Sequence, residues 1–197
     1  MKLPKLKAGV VALIVVVLIA FWGISTYNKL VSMDENVNTQ WANVETSYQR
    51  RSDLIPNLVA TVKGYATHER QTLEAVMAAR SQATQVKIDP SNCTPQQLAA
   101  YQKAQGDVTS ALGKLLAITE NYPQLKANEN FLELQSQLEG TENRISVARR
   151  DFNAAAQTYN TTLRRFPTNI VASMGGFEKH NYFEAQAGAE KAPKVEF

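Results

Sequence analysis

Chemistry needs nucleophiles, acids, bases or metal ligands brought together, and this sequence offers few of them. Its only histidines are His68 and His180, and its single cysteine is Cys93. A thiol beside an imidazole would make a nucleophile, but chain spacing neither joins Cys93 to a histidine nor separates them. His68-Glu69 has no second histidine one turn away, so the helical zinc-protease pattern is missing. No glycine-rich phosphate loop occurs, and a lone cysteine cannot close an intrachain disulfide. A charged series, Glu142, Arg144, Arg149, Arg150, Asp151, Arg164 and Arg165, stands out late in the chain. On one helix such a series reads as a solvated face with spaced ion pairs. The sharper reading is a site for an anion or a lipid headgroup. The sequence therefore predicts no catalytic residues, no cofactor-binding residues and no metal ligands.

The elements that would position such groups begin with residues 8–24, AGVVALIVVVLIAFWGI, which carry no charge. At 1.5 Å per residue, with Ser25 to Tyr27 extending the run, they can cross a bilayer core of about 30 Å. Trp22 and Tyr27 sit where an interfacial aromatic belt belongs. Lys2, Lys5 and Lys7 precede the span and account for the whole excess of 21 basic over 18 acidic residues. The positive-inside bias predicts residues 1–7 in the cytoplasm, 8–27 across the membrane and the remainder outside. The rival is a cleaved signal peptide, but the apolar run is long for one and no Ala-x-Ala site follows it. The remainder is charge-balanced and has no nucleic-acid signature.

Proline divides the outer part. Four proline-free intervals, 28–55, 57–89, 96–122 and 124–166, are rich in helix formers and predict helices. Each shows apolar residues at alternating steps of three and four. The last runs Leu134, Leu138, Thr141, Ile145, Ala148, Phe152, Ala155, Tyr159, Thr162, Phe166. Thr94-Pro95-Gln96-Gln97 is a capping box, Asn128 can cap the last helix and Pro167 stops it. The expected fold is all-α: a transmembrane helix, then an up-and-down four-helix bundle over 28–166. The tail, 167–197, is too apolar for a free linker and should pack on the bundle.

RRSDLIPNLV at 50–59 is the ambiguous stretch. With Asp53 as an N-cap, Pro56 falls in a first turn where its missing N–H loses nothing. The apolar phase 37, 41, 44, 48, 51, 55, 58, 62, 65 nevertheless runs straight through, as it would in one helix kinked at Pro56. Interval lengths favour a turn at 52–53, because four helices of similar length pack better than one very long helix with two short ones.

Several stretches resemble the LemA family: YNKLV (27–31), RRSDLIPNLVATVKGYATHE (50–69), YPQLKANENFLELQSQLEGTENRISVARRDFN (122–153), RFP (165–167) and APKVEF (192–197). The resemblance implies a bacterial protein with an N-terminal membrane anchor and an outer four-helix bundle. It carries across no catalytic residues. Family genes often lie beside those for TPM-domain proteins or membrane proteases, which implies envelope partners by association. The loop around 86–94 matches no family motif and is where a feature particular to this chain would lie.

The expected function is a single-pass scaffold of the bacterial inner membrane. It would meet the lipid bilayer through 8–27 and envelope proteins through the bundle. The alternatives are a self-assembling structural protein, with the chain as its own partner, and a membrane-associated enzyme or regulator of a membrane protease. The last would need a site in the 86–94 loop or around His68.

Overall fold

The structure is a computed structural model and describes residues 8–184. The lysines of the N-terminal flank and the APKVEF end of the tail lie outside that range. The described residues form helices joined by turns and loops: α1 (Ala8–Lys63), α2 (Arg70–Gln85), α3 (Pro95–Thr119), α4 (Pro123–Lys126), α5 (Glu129–Arg164) and α6 (Thr168–Met174).

The first helix overturns the expected turn. It runs unbroken for 56 residues with Pro56 inside it, and the chain reverses only at 64–69. Asp53 is no cap; its carboxylate accepts from Gln49 Nε2 at 2.7 Å within the helix. The cause lies four residues before the proline. Pro56 has no N–H for the carbonyl of Ser52, which would be an orphan in a plain helix. Arg80 of α2 donates its Nε–H to that oxygen at 2.7 Å. A side chain from the neighbouring helix thus replaces the lost backbone donor, and α1 continues. The apolar phase that argued for continuity is the buried stripe itself: Val37, Trp41, Val44, Tyr48, Arg51, Ile55, Leu58 and Val62 are all buried. Tyr65 and Gly64, expected inside a helix, instead belong to the reversal.

The capping signals hold. Thr94 and Gln97 form the capping box at α3, with Pro95 in the first turn. Asn128 accepts from the Phe131 amide at the start of α5, which ends ahead of Pro167. The seam of α5 drifts near its end. Ala156, Tyr159 and Leu163 are buried there, whereas Phe166 is 82% exposed. A seven-residue repeat slips by about 20° per heptad on a straight helix, which moves the buried positions to Ala156 and Leu163, while Phe166 lies past the end of α5 in the turn before α6.

No residue of α1 before Leu30 is buried; from Leu30 on, one stripe is. That stripe lies antiparallel along α5. Two apolar clusters result. The nearer to the span gathers Leu30 to Tyr48 with Leu98, Tyr101, Ile145 to Leu163, Ala172 and Phe183. The farther gathers Ile55 to Ala66 with residues of α2, α3 and the start of α5. The fourth place in the bundle is shared: α2 fills it at the far end. Near the span, the 86–94 loop and the tail up to Phe183 pack against the core.

Candidate functional site

Between the two apolar clusters lies a polar layer centred on Arg51. This residue keeps the stripe's phase, so its stem enters the core, and its guanidinium is only 2% exposed. Nη1 donates to Thr109 Oγ1 at 2.7 Å and to Glu142 Oε1 at 2.8 Å. Nη2 donates to the Gln105 carbonyl at 3.0 Å and to its Oε1 at 2.7 Å. The Tyr48 ring lies 5.1 Å from the guanidinium carbon. One cation thus ties α1, α3 and α5 together, with Thr109 and Gln105 on α3 and Glu142 on α5 as its acceptors. A cleft of about 130 Å³ opens beside it, lined in part by Tyr48, Ser52, Arg80 and Tyr101. That is room for a few water molecules. Burial raises the phenols of Tyr48 and Tyr101 above the ordinary tyrosine range, so both serve as neutral hydroxyls at neutral pH.

The second cluster clasps the tail near the span. Two asparagines of α5 grip its backbone as a neighbouring β-strand would. Asn153 donates to the Phe183 carbonyl and accepts from the Phe183 amide, both at 2.9 Å. Asn160 does the same to His180, at 2.8 and 3.0 Å. Phe183 is thereby laid on Trp41, with ring centroids 5.5 Å apart and planes 10° from parallel. The Arg149 guanidinium carbon lies over the same ring, 4.9 Å from its centroid. The buried His180 ring bridges two more segments: Nδ1 meets the Pro90 carbonyl at 3.0 Å and Nε2 meets Asp34 Oδ1 at 2.7 Å. Asn181 Nδ2 donates to the Cys93 carbonyl at 2.7 Å. The 86–94 loop, unexplained by sequence, is thus the part that receives the tail.

The sequence-marked groups are dispersed. His68 is exposed in the α1–α2 reversal. Cys93 Sγ faces the Thr94 carbonyl at 3.6 Å, and burial pushes its thiol up, away from the thiolate a nucleophile needs. His180 has both ring nitrogens against oxygen acceptors rather than a thiol. The charged series on α5 does not converge. Glu142 serves Arg51, Arg149 serves the tail, and Arg150 pairs with its neighbour Asp151 at 3.5 Å on the surface. Arg144, Arg164 and Arg165 are exposed. No group of three or more potential metal ligands gathers among the described residues. Arg80 and Asp34 escaped sequence reasoning. Pro56 was the signal for the first, since its i−4 carbonyl needs a donor; nothing local marks the second.

Comparison with known proteins bears on this arrangement. The family model described as "LemA family" matches residues 40–197. The chain belongs to the LemA family. Three curated relatives are named as magnetosome MamQ proteins. That of Magnetospirillum gryphiswaldense is 30% identical over 180 residues, covering 82% of this chain and 66% of its own. MamQ 2 of Paramagnetospirillum magneticum is 29% identical over 181 residues, covering 83% and 66%. Protein LemA of Metamycoplasma hominis is 24% identical over 145 residues, covering 74% and 63%. The chain spans just under two thirds of the length of these relatives. The LemA match begins within α1 and takes in the polar layer and the tail clasp. This LemA-family chain is a membrane-associated helical protein, its α1 long and apolar enough before Leu30 to cross a bilayer.

Proposed function

We propose that this LemA-family chain is a single-pass scaffold of the bacterial cell envelope, presenting its bundle to protein partners on the outer side of the inner membrane. The observation that carries the reading is the continuity of α1. One helix supplies both the lipid-facing run and the spine of the bundle, with no linker between them. A tethered catalyst gains from a flexible leash; a scaffold gains from a fixed bearing. The groups that could have reacted are held by partners instead. Arg51 donates from both terminal nitrogens, His180 is bridged on both sides and the Cys93 thiol is pushed up. The lysines of the N-terminal flank support the outward orientation.

Capture from crosslinked membranes tests the reading. The full chain should bring down a defined set of envelope proteins. Recovery of mostly the chain itself would replace it with self-assembly, and substrate turnover by the purified chain alone would replace it with an enzyme. Orientation is read separately. A cysteine placed at residue 197 in a Cys93→Ser background should react with a membrane-impermeant thiol reagent in intact cells with a permeabilised outer layer. Labelling only after lysis would reverse the topology.

A further inference from the structure

The antiparallel register of α1 and α5 fixes the height of every later residue above the membrane span. Arg51 meets Glu142 at 2.8 Å. Ten residues back along α1 and ten forward along α5, Trp41 meets Phe152 with centroids 5.4 Å apart. Seven more on each helix bring Asp34 beside Tyr159, whose phenol is raised by burial and then by that carboxylate. Both helices rise about 1.5 Å per residue, so five further residues set Arg164, the last of α5, level with Lys29, and Phe166 follows two residues on, next to the level of Tyr27. That is where the uncharged run of α1 ends. The following segment stays at this level. The Phe177 ring packs on Tyr27 at 5.3 Å, and a Cβ added at Gly175 would come within 3.1 Å of the Tyr27 ring.

Between Phe166 and Phe177 lies α6. It buries Ala172 against the core and leaves Phe166 82%, Ile170 50% and Met174 86% exposed. Ile170 and Met174 are one turn apart on a single face, and Phe166 sits just before the helix. Three large apolar side chains so exposed are costly in water, and they continue the exposed apolar surface of α1. Arg164, Arg165 and Lys179 flank them, all exposed, against Glu178. Apolar side chains with cations at their margin match the acyl–headgroup boundary of a bilayer.

We propose that α6 is a second membrane contact. Phe166, Ile170 and Met174 enter the interfacial layer of the bilayer that α1 crosses, and Arg164, Arg165 and Lys179 meet its phosphates. The inference rests on the membrane-anchored reading of α1. A helix this short would not hold a membrane by itself. Tethered beside a span, its local concentration at the interface is high enough that a weak contact is occupied.

The test uses the full chain in vesicles of phosphatidylcholine and phosphatidylglycerol. In a Cys93→Ser background, a single cysteine carries an environment-sensitive fluorophore at position 166, 170 or 174. Phosphatidylcholine bearing a nitroxide near the headgroup is the quencher. Phe21→Cys, in the span, reports insertion. Leu132→Cys is the control, since Leu132 is an exposed apolar residue at the far end of α5. Labels at 166, 170 and 174 should shift to shorter wavelength and lose most of their emission to the quencher, while that at 132 keeps its own. Quenching at 21 but at none of these three would overturn the α6 contact and leave the anchor standing. No quenching at 21 would overturn the anchored reading and the inference together. Disulfides between chains of the unlabelled 170 or 174 variants, with no lipid quenching of the labelled ones, would overturn the proposal in favour of a second copy of the chain.

Discussion

If Arg80 is what lets α1 run through Pro56, its worth must depend on the proline. Ser52 is buried beside the core stripe, and its carbonyl accepts from Arg80 Nε at 2.7 Å. A hydrogen bond with a charged donor contributes about 1.5–3 kcal/mol, and an unpaired buried acceptor costs a similar amount. Arg80→Ala should therefore destabilise by about 2 kcal/mol. Pro56→Ala returns an N–H to the ladder. It relieves a helix-interior penalty of about 3 kcal/mol, part of which Arg80 already offsets, and gives back about 0.4–1 kcal/mol through a freer unfolded chain. Its net gain should be about 1–2 kcal/mol, or roughly 2–8 °C for a domain of this size. In that background Arg80→Ala should cost under about 1 kcal/mol, because the carbonyl keeps a donor. Thermal unfolding of the full chain in detergent micelles, followed by far-UV circular dichroism, completes the double-mutant cycle. Equal cost of Arg80→Ala in both backgrounds, or a lower midpoint for Pro56→Ala, would refute the replacement of one donor by the other.

Three more outcomes follow from the clusters around it. Arg51→Ala should lower the midpoint by roughly 6–12 °C, from a loss of about 3 kcal/mol on removing a buried cation and its hydrogen bonds to Thr109, Gln105 and the half-exposed Glu142, and Arg51→Met should recover part of it by filling the space. Phe183→Ala should free the tail without unfolding the bundle: in a Trp22→Phe background Trp41 emission should shift to longer wavelength, and limited proteolysis should cut after 175 first. The bundle should also lose stability in alkali. The folded state holds Tyr48, Tyr101 and Tyr159 neutral by burial. Above the ordinary tyrosine pKa of about 10 the unfolded chain sheds protons that the folded one keeps. A pH series of thermal midpoints should be level with respect to these groups below that point and fall above it.

Much of this architecture is legible locally. The span needs only a run without charge, and the starts of α3 and α5 need only Thr94 with Gln97 and Asn128. These signals act within one turn of the chain. The path through Pro56 was not legible, because its solution sits on another helix. Arg80 looks like any surface arginine until α2 is docked. The interval argument failed for a related reason. The reversal at 64–69 forms without a proline: Tyr122 Oη donates to Glu69 Oε1 at 2.9 Å and Asn128 Nδ2 to Tyr65 Oη at 2.9 Å, both from beyond α3. Arg51 kept the seam's phase, but nothing near it in the chain announces a buried cation, because its acceptors lie 54 to 91 residues away. The tail clasp depends on Asn153 and Asn160 meeting a backbone whose own sequence shows only scattered apolar residues.

On the anchored reading, the unbroken α1 makes the molecule a lever with its fulcrum in the lipid. From Tyr27 to Lys63 it stands about 54 Å proud of the span at 1.5 Å per residue. Spans lean by about 20° on average, and more where the bilayer is thin relative to the apolar run. With no joint to absorb it, a lean of about 20° carries the far turn, with Tyr65 and His68, some 18 Å sideways. Regional differences in bilayer thickness will therefore be magnified into differences in where the far turn points, with no change in the protein's internal geometry.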